Sequence, residues 1–74
     1  MGELRVMGGM GDTRLMWNPE NPDEVKAAKK MFEELRGKGH NAYAVKNKGG
    51  KGELVREFDP AAAKIILAPP MAGG

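Results

Sequence analysis

A single amphipathic helix is the feature that most constrains how this chain can fold. Asn21 is a favourable N-cap, Pro22 suits the first helical position, and Glu24 lies at the capping-box position. Gly37 or Gly39 is expected to end the helix. Between these signals, apolar residues recur at helical spacing and form one stripe, which consists of Val25, Ala28, Met31, Phe32 and Leu35. One stripe on one helix requires a flat partner, and the rest of the chain supplies strands that can form it.

Two short runs before the helix predict a β-hairpin. Residues 4–6 and 13–17 are rich in strand-forming side chains and flank a glycine-rich segment. Asn18-Pro19 ends the second run, because proline removes a hydrogen-bond donor. Trp17, the only tryptophan of the chain, is expected to cap the core beside Pro19, with a place at a protein interface as the alternative.

Three further runs follow the helix and predict three more strands. Residues 41–46 alternate between apolar and polar side chains, and residues 53–58 alternate again, which places Leu54 and Phe58 on one face. Residues 64–68 form a nearly continuous apolar run. Such a run is typical of a strand that lies in the middle of a sheet.

The composition limits the class of protein. With 74 residues the chain is long enough for one small domain, and the absence of cysteine excludes disulfides. The longest apolar stretch is too short to span a bilayer, and the N-terminal residues lack the apolar segment of a signal peptide. We therefore expect a cytoplasmic protein without a membrane segment. The net charge of +2 is too small to indicate a dedicated nucleic-acid-binding protein.

No group of residues in the sequence predicts a catalytic or metal site. His40 is the only histidine, whereas a zinc site typically needs four ligands. This histidine is expected to interact with the terminal carbonyl groups of the helix instead. No nucleophile is paired with a base. We therefore expect no enzyme activity, no metal and no cofactor.

A lysine-rich segment lies between two of the predicted strands. Lys46, Lys48 and Lys51 form a possible basic patch, and Tyr43 lies close to it in the sequence. Such a patch can hold phosphate groups and stack a base. A solvated hairpin tip that protects an edge strand is the favoured interpretation, so nucleic acid is not the expected partner.

The order of the elements resembles the β-grasp, or ubiquitin-like, fold. A hairpin, a helix and three strands in a chain of this length give the order β-β-α-β-β-β. The resemblance implies an α+β class, with one helix packed on a mixed sheet of four to five strands. Residues 1–68 would form the single domain, and residues 69–74 would form a flexible tail.

The tail makes the resemblance more specific. Residues 66–74 read Ile-Leu-Ala-Pro-Pro-Met-Ala-Gly-Gly and look like the end of the molybdopterin synthase small subunit and its sulfur-carrier relatives. These proteins end in an apolar strand, Pro-Pro, an aliphatic residue, a small residue and Gly-Gly. Ala68 and Met71 depart from the pattern, which often has a large aromatic and a branched aliphatic residue at these places.

The resemblance implies that the chain is a carrier or modifier and that its partner is an adenylating enzyme. That enzyme would activate the terminal carboxylate of Gly74, and Gly73 would give the clearance that a narrow channel requires. The extended tail of Pro69, Pro70 and Met71 would enter that channel. An apolar sheet surface with Met16 or Leu54, and with Trp17 in its interface role, would dock the partner.

A second function class stays open at this point. The chain can also be a non-catalytic interaction module of a larger assembly, such as a phage particle or an oxygenase complex, in which the tail is incidental. The six methionines are compatible with this alternative, because methionine can line an adaptable binding surface as well as a core.

Overall fold

The strands and the helix occur along the chain in the predicted order. The structure is a computed structural model that describes residues 1–8, 13–47 and 50–70. Its elements are β1 (Gly2–Val6), β2 (Thr13–Trp17), α1 (Pro22–Gly37), β3 (Asn41–Val45), β4 (Glu53–Val55) and β5 (Lys64–Ala68). The described residues therefore form an α+β fold in which one helix packs on a mixed sheet. The sheet has five strands, the upper value of the predicted range.

The last strand lies in the centre of the sheet, as its apolar sequence predicts. The strand order is β2-β1-β5-β3-β4. β5 pairs parallel with β1 and antiparallel with β3, and the outer pairs β1–β2 and β3–β4 are antiparallel. Ile65 and Leu67 are fully buried on the side of the sheet that faces α1. The last strand thus lies between the first and the third strands.

The N-terminus of α1 is capped by a variant of the predicted capping box. The Oδ1 of Asn21 accepts hydrogen bonds from the backbone N–H groups of Asp23 (3.1 Å) and Glu24 (3.4 Å). The carboxylate of Glu24 accepts from the backbone N–H of Asn18 (2.8 Å) and from Nδ2 of Asn21 (3.1 Å). In the usual capping box the carboxylate binds the backbone N–H of the N-cap itself. Here that N–H donates to the carbonyl of Asn18 (2.9 Å), so Glu24 ties the helix to the end of the hairpin.

The C-terminus of α1 ends in a Schellman motif at Gly39, the second of the two predicted glycines. The N–H of Gly39 donates to the carbonyl of Arg36 (3.0 Å), and the N–H of His40 donates to that of Leu35 (3.1 Å). Gly39 has a φ of 97°, which is strained for residues with a Cβ. His40 thus contacts the helix end through its backbone N–H, whereas its buried side-chain Nδ1 has no hydrogen-bond partner in the described part of the chain.

The core lies between α1 and one face of the sheet. The stripe of α1 contributes Ala28 and Phe32 as buried residues, with Val25, Met31 and Leu35 packed at its margin. The buried residues of the strands and the 59–63 loop are Leu4, Trp17, Ala42, Ala44, Ala62, Ile65 and Leu67. Phe58 joins them through ring contacts with Trp17 (5.0 Å between centroids) and Phe32 (5.8 Å).

The prediction that Leu54 and Phe58 share one face is wrong. β4 ends at Val55 and the chain bends at Arg56 and Glu57, so the alternation does not continue to residue 58. Leu54 stays 64% exposed, whereas Phe58 turns toward the aromatic core. A strand that continued through residue 58 would leave the Phe58 ring on the exposed side, and burial of an aromatic ring outweighs the few ladder hydrogen bonds that the bend removes.

Candidate functional site

The face of the sheet opposite α1 is not covered by any of the described elements. Side chains along a strand point alternately to the two faces. Since Ile65 and Leu67 face the helix, Lys64, Ile66 and Ala68 point away from it. We call the sheet surface on this side the open face.

Strand register places the side chains of the open face in two rows. Each row crosses the sheet at right angles to the strands, and its members are paired residue by residue. The first row consists of Met16, Glu3, Lys64 and Val45. The second row consists of Arg14, Arg5, Ile66, Tyr43 and Leu54. The open face therefore combines four charged residues (Glu3, Arg5, Arg14 and Lys64) with five apolar or aromatic residues (Met16, Val45, Ile66, Tyr43 and Leu54).

Several apolar side chains of the open face are exposed. Met16, a predicted docking residue, is 48% exposed, and Leu54, its predicted alternative, is 64% exposed. Tyr43 is 36% exposed, and Ile66 is half-buried between it and Arg5. A contiguous exposed apolar patch with a polar rim is typical of an interaction site.

A depression lies at the end of the open face where β5 begins. It has a volume of about 550 Å³ and is open to solvent. Its lining consists of Met1, Glu3, Met16, Val45, Gly50, Ala63, Lys64 and Ile66. Aliphatic and methionine side chains form most of this lining, while Glu3 and Lys64 supply its charged groups. The depression can therefore accept an apolar group and hold a polar group beside it.

Three cations share one carboxylate on the charged part of the open face. The carboxylate of Glu3 lies 3.5 Å from Nη1 of Arg14, 3.9 Å from Nε of Arg5 and 3.9 Å from Nζ of Lys64. The Glu3 side chain is only 18% exposed, whereas the three cationic side chains are 39–61% exposed. Glu3 is therefore a half-buried carboxylate that is shared by three more exposed cationic side chains.

Trp17 lies in the core, as its favoured prediction states, and the alternative place on an exposed interface is wrong. Its side chain is fully buried, and its Nε1 donates a hydrogen bond to the carbonyl oxygen of Pro60 (3.1 Å). It is paired across the hairpin with Gly2 on the core side of the sheet. In this conformation Trp17 is a core residue, and its neighbour Met16 supplies the exposed side chain of β2.

The predicted basic patch is described only in part. Lys46 and Lys51 are exposed near the ends of β3 and β4, and Lys48 lies outside the described residues. Tyr43 lies on the open face, where its strand partners are Ile66 and Leu54. The aromatic ring is therefore grouped with the apolar residues of the open face.

The tail begins at the end of β5. Ala68, the last residue of β5, pairs with Asn41, and Pro69 and Pro70 follow as exposed residues. A Cβ placed on Gly39 would lie 3.6 Å from the ring of Pro70, so the tail starts beside the C-terminal end of α1. Met71, Gly73 and Gly74, the remaining predicted site residues, lie outside the described residues.

The sequence contained a signal for the open face in Ile66. A continuous apolar strand is typical of a sheet that is covered on both faces. Among the described residues, only the face of the sheet toward α1 is covered. The apolar side chain of Ile66 therefore has no layer of residues packed over it. The rows themselves depend on the register between strands that are distant in the sequence, so they could not be read from the sequence.

Within residues 1–8, 13–47 and 50–70, no group of three or more His, Asp or Glu side chains is placed to hold a metal ion. No helix of the described residues is long and apolar enough to cross a membrane.

Comparison with known proteins leaves the family open. No family model matches the chain, no curated protein matches it and no solved structure matches it. What the chain shows of its function must therefore come from its own residues.

Proposed function

We propose that this protein is a carrier or modifier of the β-grasp class, and that its working group is the terminal carboxylate of Gly74. An ATP-dependent adenylating enzyme is the proposed partner, and the cytoplasm is the proposed location. One observation carries the proposal: the last strand lies in the centre of the sheet and leads into an exposed Pro69-Pro70. A partner that docks on the open face at Ile66 would thus contact the strand that leads into the tail.

The element order supports the β-grasp class. A hairpin precedes the helix, and β5 returns to pair parallel with β1, which puts the two termini of the domain on adjacent strands. The tail of the sequence adds the Pro-Pro and Gly-Gly pattern of the sulfur carriers. The fold and the tail support the same proposal independently.

The chemistry of activation belongs to the partner. A carboxylate is a poor electrophile, so it must first acquire a leaving group. In the proposed reaction, a carboxylate oxygen of Gly74 attacks the α-phosphorus of ATP and releases pyrophosphate. A sulfur nucleophile, or an amine in a conjugation reaction, then attacks the acyl carbon and releases AMP. The carrier contributes no catalytic residue to either step.

In this proposal, Pro69 and Pro70 hold the start of the tail in an extended conformation. Each proline fixes its own φ and restricts the residue before it, which favours an extended segment. A tail that is extended before binding loses less conformational entropy when it enters a channel. Gly73 and Gly74 carry no side chain, so a narrow channel can close around their backbone.

Intact-mass measurement tests the proposal. The protein isolated from its native cells should end at Gly74, and co-expression with its cognate adenylating enzyme should give the mass of the adenylate or the thiocarboxylate. Deletion of Gly73 and Gly74 should abolish this gain and leave the circular dichroism spectrum unchanged. The matched control, Gly37→Ala, changes a glycine that has open space around it and should be activated normally. An unmodified mass with a native terminus beyond Gly74 would refute the carrier function.

The open face also supports a second candidate, a non-catalytic interaction module. An exposed apolar face with Met16, Ile66 and Leu54 is sufficient for binding without any use of the tail. This candidate predicts that deletion of residues 71–74 preserves binding of the native partner, whereas Ile66→Asp loses it. The carrier predicts that both changes prevent activation, so one pair of variants separates the two functions.

A further inference from the structure

The outer strand β2 leaves backbone hydrogen-bonding groups free at one edge of the sheet. We infer that this edge pairs antiparallel with β2 of a second copy of the chain, with Leu15 on the two-fold axis. The pairing would join the two five-stranded sheets into one continuous sheet. The inference uses neither the tail nor the adenylating enzyme of the proposed function, so it holds for the carrier and for the interaction module alike.

The hydrogen bonds of β1 show which groups of β2 face outward. Along a strand, the N–H and C=O groups of successive residues point alternately to the two sides. The N–H of Glu3 donates to the carbonyl of the residue that precedes β5 (3.1 Å), so the backbone groups of Glu3 face β5. Those of the next residue, Leu4, therefore face β2, where Leu15 is the partner. Since the groups of Leu15 face β1, those of its neighbours Arg14 and Met16 point away from the sheet.

The free edge of β2 is confined to these two residues. Among the described residues, β2 pairs only with β1, so no backbone group binds the outward groups of Arg14 and Met16. Asn18 is next in the alternation, but its N–H donates to the carboxylate of Glu24 (2.8 Å) and its carbonyl accepts from the N–H of Asn21 (2.9 Å). Two N–H and two C=O groups are therefore available to a further strand, which is typical of an unprotected sheet edge.

One two-fold register uses all of these groups. If Leu15 lies on the axis, Arg14 of each copy faces Met16 of the other, and each such pair exchanges two backbone hydrogen bonds. A register with Arg14 opposite its own copy places like charges directly opposite each other, which is destabilising. A register with Met16 opposite its own copy brings Arg14 opposite Asn18, whose N–H and carbonyl are already bound. The free edge is therefore complementary to itself in the register centred on Leu15.

The side chains agree with this register. The axis is perpendicular to the joined sheet, so both open faces lie on one side and both helices on the other. Leu15 packs at the margin of the core and is only partly buried, and it would contact Leu15 of the second copy on the helix side. Met16, which is 48% exposed, would lie beside Arg14 of the second copy on the open face. The pairing thus covers apolar surface as well as forming hydrogen bonds.

The opposite edge of the sheet is less suited to pairing. The carbonyl of Val45 accepts from the N–H of Ala63 (2.9 Å), so the backbone groups of Val45 face β5. Those of Ala44 therefore face β4, where Glu53 is the partner. Leu54, the middle residue of the three in β4, is consequently the one whose backbone groups point outward. This edge offers half as many free groups as β2, and it provides a matched control.

The pairing is compatible with the proposed carrier function. In each copy, β1 and β2 separate β5 from the axis. The two β5 strands run in opposite directions, so Pro69 and Pro70 of the two copies leave the joined sheet at opposite ends. Both tails and both open faces therefore stay accessible to a partner enzyme.

Sedimentation equilibrium of the full-length chain tests the inference. The wild type should form a dimer with a dissociation constant below about 1 mM, as expected for a small specific interface. Met16→Pro removes an outward N–H and keeps the pairing with β1, so it should weaken the dimer at least about tenfold. Leu54→Pro makes the same change at the edge of β4 and should leave the dimer unaltered. Deletion of Gly73 and Gly74 should also leave it unaltered, so a failed carrier function does not affect this result.

Cysteine cross-linking provides a second readout if the proline variant does not fold. The chain has no cysteine, so each substitution introduces a single thiol. Leu15→Cys should form a disulfide-linked dimer when diamide is added, because directly opposed residues have Cβ atoms about 4.5–5.5 Å apart. Met16 is more exposed than Leu15, but residue 16 would lie diagonally from its copy at about 7–8 Å. Met16→Cys should therefore cross-link more slowly.

Four results would each overturn the inference. The first is a chain that stays monomeric at about 1 mM. The second is a dimer that a folded Met16→Pro variant does not weaken, and the third is a dimer that Met16→Pro and Leu54→Pro weaken equally. The fourth is faster cross-linking of Met16→Cys than of Leu15→Cys, which would indicate random collision or a different register.

Discussion

Gly2 lies directly opposite Trp17 in the β1–β2 pair, and the indole ring covers it so closely that a Cβ at position 2 would lie 2.1 Å from Cζ2. The ring is fully buried, and its Nε1 is bound to the carbonyl of Pro60, 43 residues further along the chain. Because Gly2 has no side chain, it leaves room for the indole ring of Trp17. The ring in turn connects the outer strand β2 to the loop before β5.

We predict that Gly2→Ala destabilises the protein. The added methyl group must displace the ring of Trp17, and overpacking of a filled core typically costs about 1–3 kcal/mol. Urea denaturation followed by circular dichroism should therefore show a lower midpoint with little change in slope. Gly2→Ala combined with Trp17→Leu should be less destabilising than the sum of the two single changes, because the smaller side chain leaves room for the methyl group. Additive effects would contradict the close contact.

The two glycines at the end of α1 should respond oppositely to the same substitution. Gly39 has a φ of 97°, so Gly39→Ala is expected to cost about 1–2 kcal/mol. Gly37 is the last helical residue and has no atom within 4 Å of an added Cβ, so Gly37→Ala is expected to stabilise by up to about 1 kcal/mol.

Thermal unfolding of the two glycine variants checks this pair. The melting temperature should fall for Gly39→Ala and rise or stay constant for Gly37→Ala. Asn in place of Gly39 should recover part of the loss, because asparagine tolerates a positive φ better than alanine. Equal destabilisation at both positions would show that the helix does not end in this Schellman motif.

The sequence predicts those features of the fold that depend on near neighbours. Asn21, Pro22 and the apolar stripe define α1 because capping and helical periodicity act within a few residues. The position of β5 could also be predicted, since its four adjacent apolar or small residues, 65–68, favour a strand in the centre of the sheet. The bend after Val55 could not, because the aromatic contacts that draw Phe58 inward come from residues distant in the sequence.

The candidate site was predicted less completely than the fold. Met16 and Leu54 were named as docking residues from the family resemblance, and both are exposed on the open face. The grouping of Glu3 with Lys64, and of Arg5 with Ile66, requires the parallel register of β1 and β5. That register results from long-range pairing and cannot be read from either strand alone. An interface stayed open as the alternative for Trp17, because the alternation does not say which face a large aromatic residue of an outer strand occupies.

Adjacent isoleucines of β5 should differ sharply in their effect on stability. Ile65 is fully buried, and Ile66 points to the open face. Ile65→Thr removes apolar contacts and buries a hydroxyl group, which is expected to cost about 2–4 kcal/mol. Ile66→Thr keeps a β-branched side chain at a half-exposed position and is expected to cost less than about 1 kcal/mol. Chemical denaturation of both variants measures the difference, and similar losses would mean that the open face is covered in solution.

Glu3 should affect the charge of the open face far more than the stability of the fold. Its ion pairs with Arg5, Arg14 and Lys64 are 3.5–3.9 Å long and involve cations that are well exposed. Such pairs typically contribute about 0–1 kcal/mol, so Glu3→Gln is expected to lower the free energy of unfolding by less than about 1 kcal/mol. The loss should be smaller at high salt, because the Debye length falls to about 3 Å at 1 M. Glu20→Gln, at an exposed turn, gives the same change of net charge as a control. A large, salt-independent loss of stability on Glu3→Gln would contradict the assignment of Glu3 to solvent-screened ion pairs.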